Sequence, residues 1–539
     1  YKRQGPAVYS LRVQADRRRY QEIMKETLET QENLVLHQAE IVSIGLTDGH
    51  VSSVTTHTGA VYAVRAVVIA TGTYLGGRTI VGHVVRTSGP DGLAAATELT
   101  KCLADMGLRL RRFKTGTPPR VNARSVDFSQ MEVQTGDKTP LPFSFSTEHP
   151  PENQAVCYLT YTTEETHRVI RENLDRSPIY SGVIEGVGPR YCPSIETKIV
   201  RFPDKPRHQL FIEPMGLDTE ELYIQGFSSS MPEEVQLEML HSVKGLEHAE
   251  IMRPAYAIEY DCIDPTALYP TLEYKHIEGL YGAGQFNGSS GYEEAAVQGF
   301  VAGVNAARKL KGESPFILGR EQAYIGTLID DLVTKGTNEP YRMMTSRSEY
   351  RLILRQDNAD ERLAPIGHEL GLVSDETLQK VVGKYDAVRR EIKRLEHTGV
   401  GASDALNALL TSRGTAEVHD GSPLIALLRR PQLTYDDLRD FDAGCRAFPP
   451  ALAESVEIAV KYEGYIRRQM AEVAEFARLE RRAIPEDIDY AKIDGLRLEA
   501  REKLAAIRPQ NLGQAGRISG VSPADVAALM LYITSKTRD

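Results

Sequence analysis

One cysteine in the sequence stands in a setting suited to chemistry. Cys192 lies between Tyr191 and Pro193 in a polar, glycine-rich stretch, with Arg190 and Lys198 close in sequence. Basic neighbours lower the pKa of a thiol and favour the reactive thiolate. A lone loop cysteine is more often inert, so its residues alone leave both interpretations open. The other four cysteines have apolar or helical contexts and predict no chemistry: Cys102, Cys157, Cys262 and Cys445.

A group of glycines lies between a predicted strand and a predicted helix. The sequence "IEGLYGAGQFNGSSGYEEAAVQG" contains Gly282, Gly284, Gly288 and Gly291. The helix N terminus would direct free N–H groups and the positive end of its dipole towards an anionic or electron-rich ligand. The order of strand, Gly-x-Gly, polar loop and alanine-rich helix favours the flavin site of two-dinucleotide-binding flavoproteins. A tight turn that only packs the helix on the strand is the alternative.

An earlier apolar run ends in a further glycine. Residues 66–70 are continuously apolar and end in Thr71-Gly72, which predicts a strand buried on both faces. Gly72 lacks a Cβ, so its backbone can approach a cofactor closely. Such strands also end many other α/β sheets. A Rossmann flavoprotein opens with a strand and G-x-G-x-x-G. None precedes residue 66, and we expect that element to lie before Tyr1.

Three arginines recur every four residues in "EPYRMMTSRSEYRLILRQDNADERL". A helix here would place Arg347, Arg351 and Arg355 along one face. Such a stripe suits successive phosphates. It is equally compatible with a salt-bridged face in which Glu349 and Asp357 are the partners.

The C-terminal region contains two further motifs. "KYEGYIRRQ" combines Lys461, Arg467 and Arg468 with tyrosines that could stack on an unpaired base. "NLGQAGRISGVSPADVAALM" begins a helix at Ser522-Pro523. Helix–turn–helix-like packing would expose Arg517. A small helical bundle that only docks a protein partner is the alternative, and we assign the second motif to partner docking.

Composition limits the classes of protein. The 539 residues predict about three to four domains. The net charge of −10 excludes a uniformly basic nucleic-acid binder, whereas residues 461–539 carry 14 Lys and Arg against 12 Asp and Glu. No apolar run is long enough to span a membrane, and no signal peptide opens the chain. The five cysteines form no CxxC pair, so we expect no metal site and a cytoplasmic location.

These motifs need an α/β frame followed by helices. We predict a Rossmann-like, two-dinucleotide-binding (glutathione-reductase-like) FAD domain over 1–122 that returns at 251–312. We predict an inserted α+β domain at 123–250. Strand signals nearly vanish after Glu321, which predicts a helical domain at 313–460 and a C-terminal helical domain at 461–539. Because 461–539 is the more basic part, a polyanionic partner is expected there.

Several long motifs resemble the MnmG/GidA family, the FAD-dependent subunit of the bacterial 5-carboxymethylaminomethyluridine tRNA-modifying complex. They cover nearly the whole chain: "KTGTPPR", "EGVGPRYCPSIE", "YAIEYD", "GQFNGSSGYEEAAVQG", "EPYRMMTSRSEYRL", "KYEGYIRRQ" and "GQAGRISGVSPA". The family's first strand, its glycine-rich FAD fingerprint and a second functional cysteine are expected before Tyr1.

The resemblance implies an enzyme that binds FAD, takes hydride from NADH and works with the tRNA-modification GTPase MnmE. The pair would modify C5 of the wobble uridine in tRNA, with the carbon from methylenetetrahydrofolate and the nitrogen from glycine or ammonium. It also implies that the inserted domain at 123–250 binds NADH and that the C-terminal domain at 461–539 binds tRNA and the partner. We expect a homodimer within a heterotetramer.

The resemblance also implies roles for particular residues. Ile41, Thr100 and Gln285 would contact FAD beside Gly72, Gly282 and Gly284, and Cys192 would be the functional cysteine. Arg347, Arg351, Arg355, Lys461, Arg467 and Arg468 would bind tRNA. The segment matching the nicotinamide-binding stretch comprises Gly188, Pro189, Arg190, Tyr191, Cys192, Pro193, Ser194, Ile195, Glu196, Thr197, Lys198, Ile199, Val200, Arg201 and Phe202.

Three alternative functions are open at this point. The folate- and FAD-dependent tRNA (uracil-5-)-methyltransferases resemble the same flavin core but lack the long helical tail at 313–539. A flavin oxidoreductase of a small substrate does not explain the arginines or the basic C-terminal region. A non-enzymatic scaffold would leave Cys192 without a role.

Overall fold

The first part of the chain forms two α-helices and seven short strands, most of which pair in antiparallel sheets. The structure is a computed structural model that describes residues 6–8, 10–149, 151–191, 193–485 and 487–536. The Asp16 carboxylate caps the first helix by accepting the Arg19 N–H at 2.9 Å. The elements are α1 Arg17–Thr30, β1 Ile41–Thr47, β2 His50–Thr56, β3 Val61–Ala63, β4 Val67–Ile69, β5 Arg78–Val81, β6 Val84–Thr87, α2 Thr97–Asp105 and β7 Leu110–Thr117.

The next part is a mixed unit around a six-stranded antiparallel sheet. Its strand order is β13-β8-β12-β11-β10-β9, and three helices pack with it around a core that includes Leu210, Ile212 and Met239. The elements are β8 Arg120–Asn122, β9 Glu132–Gln134, β10 Cys157–Tyr161, α3 Glu164–Glu172, α4 Ile195–Arg201, β11 Gln209–Pro214, β12 Glu221–Gln225, α5 Glu233–His241 and β13 Ile251–Arg253.

The chain then returns to the first part. The returning elements are β14 Tyr256–Ile263, β15 Leu280–Gly282, α6 Tyr292–Leu310 and α7 Tyr324–Asp330. β14 joins a sheet of order β6-β5-β14-β7, and β15 lies parallel to β4 with Leu280 opposite Val67. A shared hydrophobic core, from Ile44 to Val333, binds the two parts together.

The apolar run at 66–70 differs from its prediction in burial. β4 is a strand, as expected, but Val67 is half-buried and Val68 is 38% exposed, whereas Ile69 is buried. Because Val68 is exposed, the prediction of burial on both faces was wrong. Among the described residues, β4 pairs with β15 alone.

In the described residues after α7, helices are the main elements, together with one two-residue strand pair. The two largest hydrophobic cores of this part include Leu406 and Leu427 in one and Leu504 and Leu529 in the other. The elements are α8 Ala359–Glu369, α9 Asp375–His397, β16 Gly399–Val400, α10 Asp404–Ser412, β17 Ser422–Pro423, α11 Leu424–Leu428, α12 Ala443–Ala447, α13 Pro450–Lys461, α14 Glu463–Glu480, α15 Leu498–Ile507, α16 Leu512–Arg517 and α17 Pro523–Lys536.

The predicted fold class is confirmed: an α/β region with an inserted mixed unit precedes an all-helical C-terminal region. The exact domain limits stay predictions, and the first core continues past residue 312 as far as Val333. In the ranges that the structure describes, no helix has the length and apolar character needed to cross a membrane.

Candidate functional site

The two predicted glycine elements meet where β4 and β15 end. The Ala283 N–H donates to the Ile69 carbonyl at 2.9 Å, directly after the paired strands. A Cβ added to Gly72 would lie 3.8 Å from Oε1 of Gln285. Residues more than 200 positions apart therefore form one wall, as the flavin hypothesis required.

Two glycines of this wall have backbone conformations that favour glycine. Gly72 has φ +56° and Gly284 has φ +68°, in the left-handed region that costs other residues free energy. A Cβ at Gly284 would also lie 3.1 Å from the Cβ of Ala295 in α6. The turn thus brings bare backbone close to the first turn of α6.

A buried carboxylate lies at the N terminus of α6. Glu294 is 4% exposed; its Oε1 accepts the Met343 N–H at 2.8 Å, and a Cβ at Gly291 would collide with its Oε2. Arg342 lies 3.6 Å from the same carboxylate, so an acidic and a basic side chain meet at this helix end.

Unused hydrogen-bonding capacity surrounds the turn. Thr71 Oγ1, Asn287 Oδ1 and Glu294 Oε2 are buried without a hydrogen-bond partner among the described residues. Buried polar atoms are normally paired, because an unpaired one costs free energy. Together with the two glycines, these atoms fit the polar edge of a flavin.

The other two predicted FAD contacts lie on β1 and α2. Ile41 is half-buried at the start of β1, opposite Thr56. Thr100 on α2 donates its hydroxyl to Asp261 Oδ2 at 3.1 Å, and Asp261 also binds Arg112 at 2.7 Å. Thr100 thus has an internal partner, and its contact with FAD stays a prediction, as does that of Ile41.

The predicted nicotinamide segment is divided between the core and the surface. Ile195, Glu196 and Ile199 are at most 2% exposed inside the inserted unit, so their side chains do not face solvent. Ser194 caps α4 by accepting the Thr197 N–H. The members left to meet a ligand are exposed: Arg190, Tyr191, Val200, Arg201 and Phe202. Cys192 lies outside the described residues.

The predicted helical stripe of arginines was wrong. The backbone forms a short 3₁₀ turn over Thr345–Arg347 followed by turns. Arg355 is 9% exposed, and its guanidinium binds Asp357 at 3.0 Å and the Leu352 carbonyl at 2.6 Å. Arg355 is therefore turned inwards and cannot continue a phosphate-binding row.

Tertiary hydrogen bonds explain why this segment is not a helix. The Tyr341 N–H donates to the Gly288 carbonyl at 2.9 Å, and the Ser290 N–H donates to the Tyr341 carbonyl at 2.7 Å. The Arg320 guanidinium holds the Glu349 carboxylate at 2.9 Å. The backbone and side chains are thereby drawn to the glycine-rich turn and to Arg320, and the helical pattern of the sequence is overridden.

Two of the three arginines remain on the surface and adjoin α14. Arg347 lies over the Tyr341 ring at 4.1 Å, and Arg351 is exposed. The Gln469 amide of α14 donates to the Glu349 carbonyl at 3.0 Å and accepts the Leu352 N–H at 3.2 Å. The two motifs that the sequence offered as separate tRNA surfaces therefore form one continuous surface.

The cations of "KYEGYIRRQ" differ in availability. Lys461 binds Glu457 at 2.7 Å and the Leu433 carbonyl, so it is occupied within the helical unit. Arg467 pairs with Glu463 but is 77% exposed, and Arg468 is exposed. Arg467 and Arg468 are thus the members of this motif best placed to meet a ligand.

A buried charge cluster was missed by the sequence analysis. Arg320 is 6% exposed and binds Asp330 at 3.1 Å and Asp331 at 2.8 Å. Arg517 of α16, expected on the surface, is only 17% exposed and binds Asp330 at 2.7 Å. Because the partners are 187 residues apart, no local pattern signals this contact. The cluster anchors the C-terminal helices to the element that follows α6.

Comparison with known proteins places the chain among well-defined relatives. The family profile described as glucose inhibited division protein A matches residues 1–314. The profiles of the tRNA modifying enzyme MnmG/GidA C-terminal helical domain and C-terminal helical bundle match 375–470 and 472–539.

Two relatives carry the name tRNA uridine 5-carboxymethylaminomethyl modification enzyme MnmG. The protein of Caldicellulosiruptor saccharolyticus is 56% identical over 529 residues, which cover 98% of this chain and 84% of the relative. The protein of Clostridium botulinum strain Loch Maree is 55% identical over 535 residues, which cover 99% of this chain and 86% of that relative. The solved structure of Aquifex aeolicus GidA in its form II crystal superposes with a TM-score of 0.89 at 46% identity, covering 98% of this chain and 85% of that one.

Proposed function

Because the chain belongs to the MnmG/GidA family, we propose that it is a tRNA-modifying enzyme that adds a carboxymethylaminomethyl group to C5 of the wobble uridine. The observation that carries this proposal is the identity of 56% across 98% of the chain with a relative of that printed activity. Agreement of this extent includes the glycine-rich turn and both helical units, so it is not confined to a common flavin fold.

We propose FAD as the cofactor of the wall formed by Gly72 and the 282–291 turn. The bare backbone of Gly72 and Gly284 would pass along the ring system, and Thr71 Oγ1 would donate to it. Gln285, next to Gly72, would hold its edge. When bound, a reduced flavin supplies hydride or carries a one-carbon unit. NADH, the proposed source of the hydride, would meet the exposed residues of the 188–202 segment.

Cys192 would act on the base itself. Its thiolate would add to C6 of the uracil ring and shift the C5–C6 electron pair onto C5 and the neighbouring carbonyl. C5 would then attack the methylene carbon of an iminium derived from methylenetetrahydrofolate, and the C=N electron pair would move to the nitrogen. Loss of the C5 proton would return the electron pair to the ring and expel the thiolate. Arg190 and Lys198 would favour the ionised thiol.

tRNA would bind the continuous surface formed by the 341–357 segment and α14. Its cations are Arg347, which is half-buried, and Arg351, Arg467 and Arg468, which are exposed. They would contact phosphates without reading sequence. The GTPase MnmE would dock on the C-terminal bundle that begins at α15, and the enzyme would act as a homodimer in complex with it.

The Cys192→Ser variant tests the catalytic assignment. We expect tRNA modification to be lost while bound flavin and the thermal midpoint stay at wild-type values. The matched control is Cys157→Ser, which alters a half-buried cysteine of β10 and should remain active. Full activity of Cys192→Ser would refute the role of the thiolate.

A further inference from the structure

The loop at Glu185–Gly186 is held by a buried carboxylate of β14. Glu259 has a fully buried side chain, and its Oε1 accepts the Glu185 N–H at 2.8 Å and the Gly186 N–H at 2.5 Å. Its Oε2 accepts Arg78 at 2.6 Å, with Arg112 at 3.6 Å. One side chain therefore binds two consecutive amides of a loop that lies 73 residues earlier in the chain.

The same loop is also paired with the edge of β7. The Lys114 N–H donates to the Val187 carbonyl at 2.9 Å, and the Val187 N–H donates to the Arg112 carbonyl at 3.4 Å. A Cβ at Gly186 would lie 2.8 Å from the Phe113 carbonyl carbon. Only glycine permits this close approach. Residues 185–187 are thus held by four hydrogen bonds of their backbone groups, two to the Glu259 carboxylate and two to the backbone of β7.

The charges around Glu259 keep it ionised despite its burial. Burial alone would raise the pKa of Glu259, but the Gly186 N–H, the Arg78 guanidinium and the Glu185 N–H together hold that pKa below its ordinary value. A buried carboxylate without such partners would cost several kcal/mol. Arg78 and Arg112 are the cations that keep the Glu259 carboxylate charged beside the loop. This charge is not part of the proposed flavin wall.

The far end of the segment is anchored in a similar way. The fully buried Glu196 of α4 accepts the Ser229 hydroxyl at 2.9 Å and the Ser230 N–H at 3.2 Å. The Ile195 N–H donates to the Ser228 carbonyl at 2.8 Å. The residues between the two anchors, 188–194, include Cys192.

We propose that Glu259 is a positioning residue that fixes the loop at 185–187 and so sets the start of the segment that carries Cys192. It acts through the backbone and touches no reacting atom. The effect of Glu259 on catalysis rests on the proposed function, in which Cys192 attacks the base. The anchoring of the loop by Glu259 does not depend on that function. Loss of the charge would release the two amides and leave Arg78 and Arg112 facing each other.

Glu259→Gln tests the proposal with two readouts. We expect hydrogen exchange of the Glu185 and Gly186 amides to accelerate about ten-fold or more, because a charge-assisted hydrogen bond is lost. Exchange in α6 should be unchanged. We expect kcat for tRNA modification to fall about ten-fold with an unaltered KM for tRNA. Glu185→Gln is the matched control, since it removes a charge from the same loop where the side chain is 72% exposed.

Unchanged exchange at 185–187 in Glu259→Gln would overturn the anchoring, and faster exchange with wild-type kcat would overturn its catalytic consequence. An active Cys192→Ser variant would instead contradict the proposed function and leave the exchange result standing. If Glu259→Gln does not fold, Gly186→Ala decides, because it displaces the loop without altering a charge. Wild-type kcat in Gly186→Ala would also refute the proposal.

Discussion

The glycine-rich turn at 282–291 and the arginine segment at 341–357 are neighbours in space, yet their sequences predicted structure with different success. Backbone hydrogen bonds join Tyr341 to Gly288 and Ser290. In the turn between β15 and α6, where the sequence placed a group of glycines, Gly284, Gly288 and Gly291 have positive φ angles. In the segment, three arginines of equal spacing have different environments: Arg347 is half-buried over the Tyr341 ring, Arg351 is exposed, and Arg355 is paired internally.

The contrast has a physical origin. A glycine's role in a turn depends on its own φ and on nearby backbone, which local sequence largely determines. An arginine's role depends on which carboxylate or carbonyl reaches it, and those partners are set by tertiary structure. Arg320 illustrates this, because it draws in Asp330 and Asp331 from one element and Glu349 from another.

The largest expected effect comes from Arg320→Met. Removing this buried cation takes away the partner that Asp330, Asp331 and Glu349 share. Asp330 keeps Arg517 and Asp331 keeps Lys335, so we expect the free energy of unfolding to fall by about 3 kcal/mol. Chemical denaturation measures it. Arg351→Met, at an exposed position, should change stability by no more than about 0.5 kcal/mol. Equal losses in the two variants would remove the distinction between buried and exposed arginines.

Gly284→Ala should have a smaller effect on stability and a specific effect on flavin. Its φ of +68° and the contact with the Ala295 Cβ at 3.1 Å should cost about 1–3 kcal/mol. Displacement of the turn should also reduce bound FAD, read from the visible spectrum. Gly299→Ala in α6, where a Cβ meets nothing within 4 Å, should keep its flavin and gain about 0.5–1 kcal/mol. Full flavin content in Gly284→Ala would contradict the assignment of the wall.

Charge reversal at Arg347 and Arg351 should affect tRNA rather than stability. We expect tRNA affinity to fall about ten-fold and the slope of log K against log salt to decrease by about two phosphate contacts. Arg390→Glu on α9, another exposed arginine, is the matched control and should bind normally. Filter binding across a salt series measures both quantities. If the salt slope of tRNA binding were unchanged, Arg347 and Arg351 would have a structural role and would not contact tRNA.

The smallest effect is a pH dependence of the arginine cluster. Burial would raise the pKa of Asp331, but Arg320 and Lys335 hold that pKa below its ordinary value. A carboxyl group with a lowered folded-state pKa stabilises the protein above its unfolded pKa, and this stability is lost as the pH falls further. The difference in stability between wild type and Arg320→Met should therefore narrow from pH 6 to pH 3. If the difference in the free energy of unfolding between the two proteins stayed constant over this pH range, the Asp331 charge would not be coupled to Arg320.

Local sequence was sufficient for the fold class, for the strand before Gly72 and for the turn after β15. It was insufficient for the 347–355 segment, where a four-residue spacing predicted a helix that tertiary hydrogen bonds prevent. The pairing of Arg517 with Asp330 and the hold of Glu259 on Gly186 join residues 187 and 73 positions apart. Contacts of such separation leave no periodic signal in a single sequence.

Nucleoside analysis of modified tRNA tests the proposed activity most directly. The protein would be incubated with unmodified tRNA, FAD, NADH, methylenetetrahydrofolate, glycine or ammonium, GTP and MnmE, and the digested nucleosides would be separated by liquid chromatography with mass detection. The relative from Caldicellulosiruptor saccharolyticus serves as the positive control. We expect the tRNA to contain a uridine substituted at C5 at the wobble position. Unmodified uridine, in an assay where the relative produces the substituted form, would contradict it.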